Sequence, residues 1–292
     1  MAWPLSLSAL SWIFTILGIL GNSFVIFLIS SKKRLAQIYT NHFLLSLSFA
    51  DLAISFSLKP ANYFCFHSEE LCQRDCLDFF QWAFLFASVF NLCVVTLDRY
   101  VAIVKPLIYG LFMTKTRVMI LICMAWIIPF VSSLIPLTFL HNFIAMKYYS
   151  YYMMIAFEIL PLLFLVSTTV HMIIIAKKVA RETASVINQL KHNHPGTDGD
   201  KTAPTRRKHT GLFFVVSIVV FFLCCYLFAL VISFCHIFHL CSAPLSLNPV
   251  KRILLIANSA FNPFAYAFLK NDVKEEVKRF LRLRVGARKG HR

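Results

Sequence analysis

Seven separate stretches of this chain are each long and apolar enough to cross a bilayer, and nothing else in the sequence restricts its fold as tightly. A hydrocarbon core takes about 20 apolar residues in helical form. The runs are 9–30, 39–65, 76–104, 118–140, 149–176, 212–237 and 248–269. None alternates with the period of two that a membrane β-strand needs. They predict an all-α membrane protein, a seven-transmembrane helix bundle that forms a single domain over 1–292. Only 14% of the residues are charged and 59% are hydrophobic. A soluble domain carries about 25% charge, so this chain lacks the polar residues to wet a globule of its size. Run 9–30 has no small-residue cleavage site behind a short apolar core, and it reads as a retained helix.

Lysine and arginine set the orientation. They follow run 1 (Lys32, Lys33, Arg34), run 3 (Lys105, Lys115, Arg117) and run 5, and they crowd the tail after Leu269. The opposite side has Lys59, Arg74, Lys147, Lys251 and Arg252. Positive loops stay in the cytoplasm, so the N-terminus is expected outside and the C-terminus inside. The net charge of +16 is then a signal for anionic membrane lipid, not for nucleic acid. Between runs 5 and 6, "NQLKHNHPGTDGDKTAPT" reads as a flexible loop. After run 7, Val273, Val277, Phe280 and Leu281 recur at helical spacing among basic residues. They predict a short amphipathic helix at about 271–282 lying on the membrane surface.

Polar groups inside the runs are costly and point to function. Asn22 lies in run 1, Asp51 in run 2, Ser88 and Asn91 in run 3, and Asn258, Ser259 and Asn262 in run 7. A lone carboxylate in an apolar bundle needs a partner. Asp51 therefore faces inward, where these oxygens hold a small cation or a proton, or simply close a hydrogen-bond network. Asp98 and Arg99 end run 3, with Pro106 seven residues after the arginine. Taken alone, Arg99 also fits an arginine snorkelling to the interface.

Set in order, these residues resemble one family. "GN" stands in run 1 (Gly21, Asn22), "LSFAD" in run 2 (Asp51), and "DRY" at the end of run 3 (Asp98, Arg99, Tyr100) with "KPL" after it (Pro106, Leu107). A single Trp126 lies in run 4, Pro161 in run 5, and "NPFAY" in run 7 (Asn262, Pro263, Tyr266). The chain resembles, over its whole length, the rhodopsin-like (class A) G protein-coupled receptors. The resemblance implies a plasma-membrane receptor that passes an extracellular ligand signal to a heterotrimeric G protein and has no enzymatic activity. It implies that Asp98 restrains Arg99 until activation, and that Leu107 docks into the G protein. Asn262, Pro263 and Tyr266 would then be the hinge and switch of run 7. Asn22, Asp51, Ser88, Asn258, Ser259 and Asn262 match the positions that line an allosteric Na+ site.

The chain departs from the family pattern in run 6, where "FFLCCYLFALVISF" puts Tyr226 at the usual tryptophan and Phe228 at the usual kink proline. Thr169 stands where a tyrosine is common, and "RRKHTGLF" has no acid to clasp Arg99. Appreciable basal activity is expected. The loop near Leu140–Tyr149 has no cysteine for the usual bridge. Cys65, Cys72, Cys76, Cys235 and Cys241 lie on the outer side. Cys235 and Cys241 can form a local disulfide, or bind zinc together with His236 and His239.

Candidate ligand-pocket residues are Lys59, Asn62, Asp78, Gln81, Glu158, Tyr226, Ser233 and Arg252. Gln81 replaces the aspartate of monoamine receptors and Ile256 replaces the opsin lysine, so a monoamine is disfavoured and a photopigment excluded. A small molecule, a lipid or a short peptide remains as ligand. A transporter or channel is the other reading, but the chain has no matching halves and no charged rings.

Overall fold

The computed structural model describes residues 5–67, 74–138, 142–193, 203–238, 247–269, 273–277 and 279. Every long element among them is helical. We number the principal helices α1 (Leu5–Ser31), α2 (Tyr39–Phe56, continued through Ser57–Ala61 to His67), α3 (Arg74–Val104) and α4 (Lys115–Leu134). Helix α5 comprises Phe143–Met153, Met154–Ile159 and Leu160–Asn193, followed by α6 (Ala203–Phe238) and α7 (Leu247–Leu269). Short helices at Lys33–Ala36 and Tyr109–Phe112 lie in two of the connections.

Five of these are long and apolar enough to cross a membrane: Leu5–Ser31, Tyr39–His67, Cys76–Val104, Lys115–Leu134 and Phe143–Val186. Val219–Cys235 is a shorter apolar stretch inside α6. The outward faces of α1, α4 and α5 show large apolar side chains, such as Leu20, Ile127 and Leu163. Water would penalise that surface by about 25 cal/mol per Å², whereas lipid does not.

The helices close a ring. α1 packs on α2 and α7, α2 on α3, α6 on α5 and α7, while α3 runs through the middle against α2, α4, α5 and α6. The ring is tight where glycine removes a side chain. A Cβ on Gly21 would lie 3.0 Å from the ring of Pro263, and one on Gly18 would lie 2.5 Å from Ser55 Oγ. Trp126 pins α4 by donating to Ser46 Oγ at 2.9 Å, and Ser46 in turn donates to Asn91 Oδ1 at 2.7 Å.

Two helices widen into π turns next to prolines, at Ser57–Ala61, which contains Pro60, and at Met154–Ile159, just before Pro161. Proline cannot donate the backbone bond that an α-helix needs, and the chain reroutes around the gap.

Helix bounds differ from the apolar runs at several ends. α4 stops at Leu134, where the 3-10 turn Ile135–Thr138 with Pro136 takes over. α5 runs to Asn193, so the first part of the stretch read as a flexible loop is helical. No Gly or Pro interrupts "RETASVINQLKHN", and the rest of that stretch up to residue 202 lies outside the described residues. Of the surface helix, 273–277 and 279 are described and helical, and Val273 is buried against the bundle.

Candidate functional site

The middle of the bundle is organised by Asp51. Its Oδ1 accepts from Ser88 Oγ at 2.7 Å and Ser259 Oγ at 3.1 Å, and its Oδ2 accepts from Asn262 Nδ2 at 2.7 Å. Helices α2, α3 and α7 thus meet on one carboxylate that is fully buried. Asn22 joins from α1 by a different route. Its Nδ2 donates to Gly18 O at 2.9 Å and to Ser259 O at 3.2 Å. The α-helical donor to Ser259 O would be the N–H of residue 263, which is a proline, so Asn22 fills the gap. Asn22 Oδ1 is buried without a partner among the described residues. Asn258 is half-buried and stands outside this bonded set. A carboxylate with two serine hydroxyl oxygens on it is a donor set suited to a hard cation.

At the far end of α3, Arg99 turns back onto its neighbour. Its Nη2 lies 2.7 Å and its Nε 2.9 Å from Asp98 Oδ2. The other oxygen, Oδ1, accepts from Tyr109 OH at 2.8 Å. Tyr109 sits on the short helix after Pro106, outside the apolar runs. Burial, then the adjacent Asp98 carboxylate, raises its phenol well above the ordinary value. Leu107 is 95% exposed, free of the bundle. Tyr100 reaches His171 of α5, OH to Nδ1 3.0 Å. The Tyr266 side chain lies outside the described residues, as does Cys241.

The pocket residues do not gather in one place. Tyr226 is buried, with its ring 4.7 Å from that of Phe222, and its OH donates to Phe157 O at 3.1 Å. Further along the same two helices, Ser233 Oγ donates to Glu158 Oε1 at 3.4 Å and accepts from Lys251 Nζ at 2.8 Å. Asn62, Asp78 and Arg252 instead line an open polar cleft of about 290 Å³ with Cys65, Phe66 and Leu77. Gln81 is buried and donates to Ser57 O at 3.1 Å, and Lys59 lies over the Trp12 ring, 5.7 Å from its centroid.

Cys65 and Cys235 are each disulfide-bonded, and Cys76 is free. The bond at Cys235 removes a thiolate from the zinc alternative. The described residues contain no cluster of metal-ligating side chains. Thr169, at the position of the common tyrosine, is buried with its hydroxyl unpartnered among the described residues.

Sequence reasoning missed three members of these sites. Tyr109 follows Pro106 by three residues, but nothing in the spacing aims it at Asp98. His171 and Lys251 were visible as polar residues in apolar runs, and their partners lie on other helices.

Comparison with known proteins agrees with this layout. The family model "7 transmembrane receptor (rhodopsin family)" matches residues 21–266. Adenosine receptor A2a of Canis lupus familiaris is 26% identical over 317 aligned residues, covering 94% of this chain and 73% of that protein. Octopamine receptor beta-2R of Chilo suppressalis is 32% identical over 42% of this chain and 32% of its own length. For 5-hydroxytryptamine receptor 4 of Rattus norvegicus the values are 35%, 42% and 31%. Seven apolar runs, a buried carboxylate shared by three helices, an Asp–Arg pair closing α3 and the family match over most of the chain agree: this protein belongs to the rhodopsin family of seven-transmembrane receptors and signals through G proteins.

Proposed function

We propose that this receptor reads its ligand at the Glu158–Ser233–Lys251 end of the bundle and hands the signal to a heterotrimeric G protein at the Arg99 end. The observation that carries this reading is the state of Arg99. It is held by a carboxylate that is itself held by Tyr109, beside a loop that leaves Leu107 bare. Release of Arg99 exposes a guanidinium next to that apolar side chain, a surface fit for a partner's helix. The basic loops put this end in the cytoplasm and the N-terminus outside, in the plasma membrane. The basic tail then rests on anionic lipid.

Asp51 with Ser88, Ser259 and Asn262, and with Asn22 close by, is proposed to hold an allosteric Na+, which would stabilise the arrangement shown. The ligand is a small molecule, a lipid or a short peptide. The names of the relatives add adenosine, octopamine and 5-hydroxytryptamine as compounds to try. The amines are disfavoured here, because Gln81 carries no charge and is spent on Ser57 O.

The test is ligand-screened nucleotide exchange on a heterotrimeric G protein, with wild type against Arg99→Ala at matched surface expression. Arg99→Ala is expected to abolish both basal and ligand-driven exchange. Unaltered exchange in that variant would overturn the reading.

A further inference from the structure

Glu158, Ser233 and Lys251 stand on three different helices and form one polar chain across the bundle. Lys251 Nζ donates to Ser233 Oγ at 2.8 Å, and the same hydroxyl donates onward to Glu158 Oε1 at 3.4 Å. One α6 hydroxyl thus relays between a cation on α7 and an anion on α5. Both hydrogen bonds end on this hydroxyl, so pulling α6 outward breaks the two at once. The relay is also incomplete, because Glu158 Oε2 is buried with no partner among the described residues. A buried acceptor without a donor costs free energy that a better donor could recover. The arrangement therefore holds while leaving one atom ready to be taken.

From a position two turns earlier on α6, the same pair of helices is joined again by the Tyr226–Phe157 bond. Glu158 is the next residue after Phe157, and both belong to the π turn Met154–Ile159. A shift of Glu158 is transmitted directly to the carbonyl that holds Tyr226. Helix α6 has Phe228 where a kink proline is usual, and these polar contacts add to its apolar packing in holding its resting position.

We propose that Glu158, Ser233 and Lys251 form a clasp that holds α6 against α5 and α7 in the resting receptor, and that activation from the outer side requires this clasp to open. The proposal rests on the receptor reading above and adds a specific restraint to it. An agent that opens the clasp competes for one of its bonds. Glu158 Oε2 is the free point of entry for a hydrogen-bond donor.

The experiment uses full-length receptor in nanodiscs and no ligand. Basal nucleotide exchange on a heterotrimeric G protein is measured for Ser233→Ala, Lys251→Met and the double variant. Ser233→Thr keeps the hydroxyl, and Ser150→Ala serves as control, since the bond of Ser150 among the described residues stays within its own helix, to Met146 O. Ser233→Ala and Lys251→Met are expected to raise basal exchange about two- to tenfold, the range of one interhelical hydrogen bond, and Ser233→Thr to raise it less than Ser233→Ala, whereas Ser150→Ala stays at the wild-type rate. Thermal unfolding of the same proteins reads the bridge without any G protein, and the two substitutions should be strongly non-additive there. Additive unfolding shifts, or wild-type basal exchange in both single variants, would overturn the clasp. An equal rise in Ser233→Thr would also sink it, because bulk at the helix contact would then be the cause. Non-additive unfolding together with exchange indifferent to Arg99→Ala would mean that the receptor reading has failed, with the bridge itself intact.

Discussion

Tyr226 gives Phe157 the hydrogen bond that Pro161 withholds. An α-helical donor to the Phe157 carbonyl would be the N–H of residue 161, and proline has none. The phenol of Tyr226, arriving from the neighbouring helix, stands 3.1 Å away. Asn22 does the same for Ser259 O, whose missing donor is Pro263. In lipid no water reaches such carbonyls, so the side chain of another helix must serve.

Tyr226→Phe keeps the ring and its stacking on Phe222 but strips the donor. It should cost about 1–3 kcal/mol of stability, the penalty for a buried acceptor left short. Thermal unfolding of the purified receptor checks this. Basal exchange is expected to rise in the same variant as α6 loosens.

Tyr109→Phe removes one of the two partners of Asp98. The Arg99 contact then carries the restraint alone, and basal exchange should rise about two- to tenfold. The wild-type bond should not respond to pH over the physiological range. Burial and the Asp98 carboxylate raise the Tyr109 phenol above its ordinary value. The stability it contributes is therefore present below the unfolded-state pKa of about 10 and is lost only as pH climbs beyond that. A pH titration of basal exchange showing a Tyr109-dependent step near neutrality would contradict this.

Gly21 has no room for a side chain. A Cβ there falls 3.0 Å from Cβ and Cγ of Pro263, and a proline ring inside a helix has nowhere to turn. Gly21→Ala should lower stability by about 1–3 kcal/mol through overpacking. Gly110→Ala, where nothing lies within 4 Å, should change little. Side-by-side thermal unfolding of the two variants tests the contrast.

Asp51→Asn tests the proposed cation site. Wild-type receptor should unfold at a higher temperature in NaCl than in choline chloride at equal ionic strength. The variant should lose that difference, because the neutral amide cannot offset the cation's charge. An equal response to the two salts in wild type would show that the Asp51 network is closed by hydrogen bonds alone.

Much of this was legible in the chain. Asp51 announced itself as a carboxylate with no nearby counter-charge in an apolar run, and Asp98–Arg99 as a charged pair where such a run ends. Their partners were less visible. Ser88 and Asn262 could be named as inward-facing candidates, but Tyr109, His171 and Lys251 could not be assigned to Asp98, Tyr100 and Ser233. The ligand-pocket candidates were read as one set, yet they fall into a Tyr226 contact, a Glu158–Ser233 bridge and a separate cleft with Asp78 and Arg252.

The sequence by itself determined that the chain spans a membrane as helices, because hydropathy acts locally and about 20 consecutive apolar residues suffice to show it. It also determined where helical hydrogen bonds must fail, since every proline marks a missing donor. Which side chain answers each failure was decided only by packing. Asn22 and Ser259 are 237 positions apart. A bond across that distance depends on which helices are neighbours and how each is rotated, and those are properties of the assembled bundle.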